Sequence, residues 1–217
     1  MGAITRGFAN NIGSSGILGA GAFNNTSLGS ITEMPGVVTM NLLSTTTISS
    51  DATVNITANI DSTYNEYMLL FVNIHPEEND RHLKMQASTN GGSSYGVTCT
   101  NTNFRAGHKE DGSFTFLGYV AGNDVAQSTS AFIINEGMGN ASDASCSGFV
   151  KLFNPSGTTH VKHYISHFSG MNFQSPPQAT NYFTAGYFNT TSAVNALQFT
   201  ASAGDLDAGT IKLYGVC

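Results

Sequence analysis

Side chains able to bind metal or act in catalysis are sparse in this 217-residue chain, and the densest group is His160-x-x-His163-x-x-x-His167. Neutral imidazoles at this spacing share one face of a helix, where they would hold zinc or nickel. Their neighbours argue against a helix: Val161, Tyr164, Ile165 and Phe168 are strand formers. On a strand His160 and His163 point to opposite faces, and only His163 and His167 share one. Four strand residues separate that pair by roughly 13 Å, too far to chelate one ion. The three histidines are therefore read as polar strand positions at a subunit contact. A pH-sensitive contact is the lesser reading, because imidazole charges near pH ~6.5.

The acidic run Glu77-Glu78-Asn79-Asp80 offers oxygen ligands of the kind calcium takes, but lacks the alternating Asp register of a dedicated loop. It reads as a solvated loop tip, and Asp205-x-Asp207 as a loop keeping a sheet edge soluble. No Gly-x-Ser-x-Gly elbow is present. Gly13-Ser14-Ser15-Gly16 lacks the lysine of a phosphate loop. The expectation is a protein that is not an enzyme, with no catalytic residue, cofactor or metal. The aromatic residues are 14 Phe and 8 Tyr, with no Trp. Tyr95, Phe104, Phe114, Phe116, Tyr119, Phe173, Tyr182 and Tyr187 include loop-adjacent positions. Aromatic rings there can stack on the apolar face of a sugar, although core packing is the commoner use of Phe.

The elements that must position these residues lie in an unusually uncharged chain. Only 10% of residues are charged, against roughly 25% in an ordinary soluble domain. From Gly7 to Thr32 there is no charged residue at all. Such a surface is cheap to desolvate against a neighbouring protein, since few ions must be stripped of water. The net charge of −6 and the lack of a Lys/Arg cluster argue against nucleic acid or anionic membrane as the main partner. The start, MGAITRGFANN, has one Arg and no apolar run of the kind a secretory signal carries. The longest dense apolar run, Met68–Val72, is far too short to span a membrane. The three cysteines, Cys99, Cys146 and Cys217, are odd in number and lack metal-like spacing, which fits assembly in a reducing cytosol.

Residues 1–36 are rich in Gly, Ala, Asn and Ser, with apolar residues that follow neither helix nor strand periodicity. They read either as a free tail or as an extended anchoring arm, and the second reading is preferred. Its pegs are Ile4, Phe8, Ile12, Ile17, Leu18, Phe23, Leu28 and Ile31, and Pro35-Gly36 ends it with a turn. From residue 37 onward, short strands alternate with turn signals. Val54, Ile56, Ala58 and Ile60 alternate with polar residues as in a half-buried strand. Tyr67 to Ile74 is apolar on both faces, as in a central strand. His82 to Ser88 alternates and runs into Thr89-Asn90-Gly91-Gly92, which has the residues of a hairpin turn. Further strands are expected near 114–120, 130–135, 146–154, 159–168, 182–188, 194–201 and 209–216, with Asn154-Pro155-Ser156-Gly157 as a turn. No long amphipathic helix appears. The pattern predicts an all-β fold, an antiparallel β-sandwich that is jelly-roll-like, over residues 37–217.

Several stretches resemble a family of bacteriophage virion proteins common among marine phages. They are EYMLLFVNIHPEEND (Glu66–Asp80), STNGGSSY (Ser88–Tyr95), GFVKLFNPSGTTHVK (Gly148–Lys162), GYFNTTSAV (Gly186–Val194) and DAGTIKLYGV (Asp207–Val216), together with ITRGFANN near the start. Each is short, and their joint order carries the resemblance. It implies a β-sandwich component of the tail, fibre or capsid surface, with no catalytic residues. Asn101–Gly112 and Gly170–Thr180 fit no fixed pattern and are expected to vary.

Composition and resemblance together lead to one expectation: a virion structural protein, assembled in the host cytoplasm, of the tail fibre, tip or adaptor kind. Its expected partners are copies of itself, for example in a trimer, other virion proteins, and host surface glycan. Membrane insertion is not expected. The alternatives are a capsid decoration or cement protein and a lectin-like module.

Overall fold

The computed structural model describes residues 40–216. The proposed anchoring residues Ile4, Phe8, Ile12, Ile17, Leu18, Phe23, Leu28 and Ile31 lie outside the described residues, as does Cys217. Twelve strands are described: β1 (Met40–Asp51), β2 (Val54–Ile56), β3 (Glu66–Pro76), β4 (Arg81–Ser88), β5 (Cys99–Lys109), β6 (Thr115–Tyr119), β7 (Phe132–Met138), β8 (Cys146–Phe153), β9 (Lys162–Met171), β10 (Gln178–Phe188), β11 (Ala196–Ala201) and β12 (Leu206–Val216). They form two sheets, of order β1-β12-β3-β8-β9-β10-β5-β6 and β2-β11-β4-β7. Every pairing is antiparallel.

The order resolves into a jelly roll with an annex. Eight strands give two four-stranded sheets, β1-β12-β3-β8 and β2-β11-β4-β7, and the chain changes sheet at nearly every step. That double Greek-key wrapping is the jelly-roll arrangement. Two excursions, one between β4 and β7 and one between β8 and β11, supply the remaining strands. Together β9-β10-β5-β6 extend the larger sheet beyond the smaller one.

The core follows from strand alternation. Tyr67, Leu69 and Phe71 on β3 point inward and are fully buried, as are Val150 and Leu152 on β8 and Leu213 on β12. Leu83 and Met85 on β4 and Leu197 and Phe199 on β11 meet them from the smaller sheet. Phe71 packs edge-on against Phe168 at 5.1 Å and against Phe199 at 4.9 Å between ring centres.

Several expectations from sequence need correction. The strand expected over Val54–Ile60 stops at Ile56, because Asn59 turns the chain with φ of 65° and Ala58 is exposed. Gly91 and Gly92 do adopt positive φ, at 72° and 85°. They do not close a hairpin: β4 lies in the smaller sheet and β5 in the larger, so the segment crosses between sheets. By contrast Asn154–Gly157 does join the paired strands β8 and β9, with Asn154 at φ 44° and Gly157 N–H donating to Asn154 O at 3.2 Å. Two long strands escaped sequence reading. They are β1, and β5 within the stretch that fits no pattern.

Candidate functional site

The outer face of the larger sheet is apolar where a solvated sheet would be polar. From β3 to β6 its only Asp, Glu, Lys or Arg side chains are Glu66 and Lys151, which pair with each other at 2.6 Å. A row of rings crosses four strands in register: Phe149 on β8, His167 on β9, Phe183 on β10 and Phe104 on β5. His167 stacks on Phe183 with centres 3.9 Å apart, and Phe183 stacks on Phe104 at 4.8 Å. Phe149 meets His167 edge-on at 5.9 Å. The His167 Nε2 lies 2.5 Å from Asn181 Oδ1, which fixes the imidazole in the row.

This row remains open to solvent. Phe104 is 47% exposed, and beyond it Tyr119 and Leu117 on β6 are 64% and 77% exposed. Met40, Leu42, Val72 and Ile165 add exposed apolar surface across the same face. A hollow of about 160 Å³ opens between Phe104, Phe149, Ile165 and Phe183.

Beneath this row the annex is polar. Asn103 is fully buried, its Nδ2 donating to Asn123 O and Asp124 Oδ1 (both 3.0 Å) and its Oδ1 accepting from Thr184 Oγ1 at 2.6 Å. Asp124 also accepts from the Tyr119 hydroxyl, and Asn123 Nδ2 donates to the Tyr182 hydroxyl at 2.9 Å. Burial pushes that Tyr182 hydroxyl well above the ordinary phenol range. The segment between β6 and β7 is thereby tied under the sheet. These bonds connect side chains without leaving a nucleophile next to a base.

Where β7 meets the annex, a second concavity opens around Arg105. The guanidinium pairs with Glu136 of β7 at 2.5 Å and lies over the Phe116 ring at 5.0 Å. Gly107 makes this arrangement possible: a Cβ there would lie 2.5 Å from Phe116 and 2.7 Å from Gln178 Nε2.

The residues singled out from sequence are dispersed. His163 and His167 share the outer face, and His163 tilts against Tyr187 at 6.0 Å. His160 precedes β9. Among the described residues no three His, Cys, Asp or Glu side chains gather as metal ligands. Glu78 pairs with Arg81 at 2.5 Å, and Glu77 Oε2 accepts from Asp205 N–H at 3.1 Å. The acidic loop thus fastens two turns together. Asp207 lies 3.4 Å from His75. Of the candidate sugar-stacking aromatics, Phe104 and Tyr119 are on the outer face, while Phe114, Phe116 and Phe173 line the concavity around Arg105. Tyr182 is a core residue and cannot stack on a ligand. Phe149, Phe183 and Arg105 were not singled out. The only sequence signal was that Phe149 and Phe183 fall on strand positions opposite to the buried parity.

No protein-family model matches this sequence, and no curated protein matches it.

Proposed function

We propose that this chain is a non-enzymatic structural subunit of a bacteriophage particle, of the tail fibre, tip or adaptor kind, that packs the outer face of its larger sheet against neighbouring copies. The carrying observation is that face, with its ring row and a single internal ion pair. An apolar surface of this extent marks an interaction site. The six strands from β3 to β6, about 4.8 Å apart and about seven residues long, give a projected face on the order of 700 Å². That is close to the roughly 800 Å² per partner of a standard stable interface. A second copy is the natural occupant, because the few charges on the face give no sign-specific partner anything to recognise. The ordered resemblance to marine phage virion proteins supplies the particle setting, and the sparse charge of residues 1–36 fits an anchoring arm.

Sedimentation equilibrium of the full chain tests the assembly. A closed oligomer is expected for the wild type, with dissociation to monomers for Phe104→Asp. A monomeric wild type at micromolar concentration overturns the reading. Deleting residues 2–34 is expected to leave the sandwich folded while abolishing incorporation into particles. Normal incorporation of the truncated chain would remove the anchoring role.

A further inference from the structure

We infer that the hollow beside the ring row receives Leu117 of a second copy, so that two chains pack face to face about a two-fold axis through Phe104. The contact belongs to the assembly reading above and rests on it.

A small residue creates the hollow. Ala185 on β10 lies in register between Thr102 on β5 and Ile165 on β9, two residues along from the row of Phe104, Phe183 and His167. The missing bulk at Ala185 leaves a depression of about 160 Å³, walled by Phe104, Phe149, Ile165 and Phe183. No Asp, Glu, Lys or Arg side chain lines it, and its accessible walls are almost entirely carbon. An apolar cavity of roughly 150 Å³ takes a group the size of benzene, so one leucine side chain fits.

Leu117 is the counterpart. It is 77% exposed, more than any other large hydrophobic side chain among the described residues. It sits on β6, the edge strand of the sheet, where no further strand covers it. Burying it gains free energy in proportion to the apolar area removed from water. It cannot fill the hollow of its own chain. Leu117 stands opposite Ala106, and Ala185 lies two strands away and four residues along, roughly 17 Å distant.

The register fixes the symmetry. On β5, Ala106 faces Leu117 and Thr102 faces Ala185, and Phe104 is midway between them. β5 is itself midway between β6 and β10. A two-fold axis in the plane of contact, crossing Phe104 at right angles to the line from Leu117 to the hollow, lays each copy's Leu117 over the other's hollow. The contact is isologous, with the same peg and the same hollow used twice. Phe104 then meets its own counterpart on the axis, ring against ring. Such an axis brings each side chain near its equivalent, where like charges would repel. The outward positions of β5, β6, β9 and β10 carry no Asp, Glu, Lys or Arg.

The test is sedimentation equilibrium with native mass spectrometry on the full chain, on Leu117→Ala, which removes the peg, and on Ala185→Phe, which fills the hollow. Both positions are exposed, so both variants are expected to keep the wild-type melting temperature. The wild type is expected to be dimeric. Leu117→Ala should weaken association at least about a hundredfold, because each dimer loses two buried side chains. Ala185→Phe should be monomeric, since both pegs are blocked. An equimolar mixture of the two variants should regain a dimer holding one chain of each. One of its contacts is native, and the other sets an alanine against a filled hollow. Wild-type association in either variant, a mixture that stays monomeric, or a wild-type oligomer of odd chain number would each overturn the contact and leave the assembly reading standing. A monomeric wild type overturns both.

Discussion

The jelly roll and its annex use opposite faces of one continuous sheet. In β3 and β8 the inward residues are Tyr67, Leu69, Phe71, Val150 and Leu152, and the hydrophobic effect holds that end together. In β5 and β10 the inward residues include Asn101, Asn103, Thr180 and Thr184, bound by side-chain hydrogen bonds. Their outward residues, Phe104 and Phe183, form the ring row. The annex therefore extends the sandwich core at β9 and β10 and holds its β5 side by a buried polar network. It presents rings outward and combines this polar network with Tyr164, Phe168, Tyr182 and Phe188, which face inward and join the core shared with the sandwich.

The two ends should respond differently to an introduced charge. Leu69→Asp is expected to unfold the jelly roll, losing more than about 4 kcal/mol, because an unpaired carboxylate enters a closed apolar core. A melting temperature equal to the wild type would show that the assigned core is wrong. Asn103→Ala should cost about 2–3 kcal/mol by orphaning Thr184 and Asp124, as read from denaturant midpoints. If it is neutral, the polar network does not hold the annex. Gly107→Ala should cost about 1–3 kcal/mol, since the new methyl collides with Phe116 and Gln178. Phe104→Asp should shift chemical stability by less than about 0.5 kcal/mol while abolishing self-association. A large loss of stability there would mean the outer face is part of the fold.

A slower drift sharpens the same contrast at high pH. Burial pushes the Cys99 thiol up to about 11 and the Cys146 thiol up to about 12, from an ordinary 9.0. The unfolded chain loses these protons from about pH 9, while the folded chain keeps them. Stability is therefore expected to fall as pH rises from about 9 toward those values, and both thiols should resist alkylation at pH ~8 until the protein unfolds. Rapid labelling of Cys146 in the native protein would contradict its burial.

Reading the sequence worked where burial and polarity agree. β3, β4, β8, β11 and β12 announce themselves by alternating or continuous apolar residues, and the Asn154–Gly157 turn by its composition. β5 was illegible because its buried positions are Asn101 and Asn103, so its pattern resembles a loop. β1 was missed because a run of Thr and Ser carries little alternation. The aromatics Phe114, Phe116 and Phe173 were visible as loop-adjacent rings, but Arg105, Glu136 and Gln178 gave no motif. They come from three strands and meet only across the junction of β7 with the annex.

Composition and two-residue alternation by themselves determined that this chain is all-β, antiparallel and poor in charge, because those properties depend on each residue's own neighbours in the chain. Tertiary structure alone decided that two separate excursions pair into one annex. It also decided that rings from four strands align in a row and that Arg105, Glu136 and Gln178 meet at one concavity. Those outcomes depend on register and sheet order between residues up to about a hundred positions apart, which local pattern does not encode.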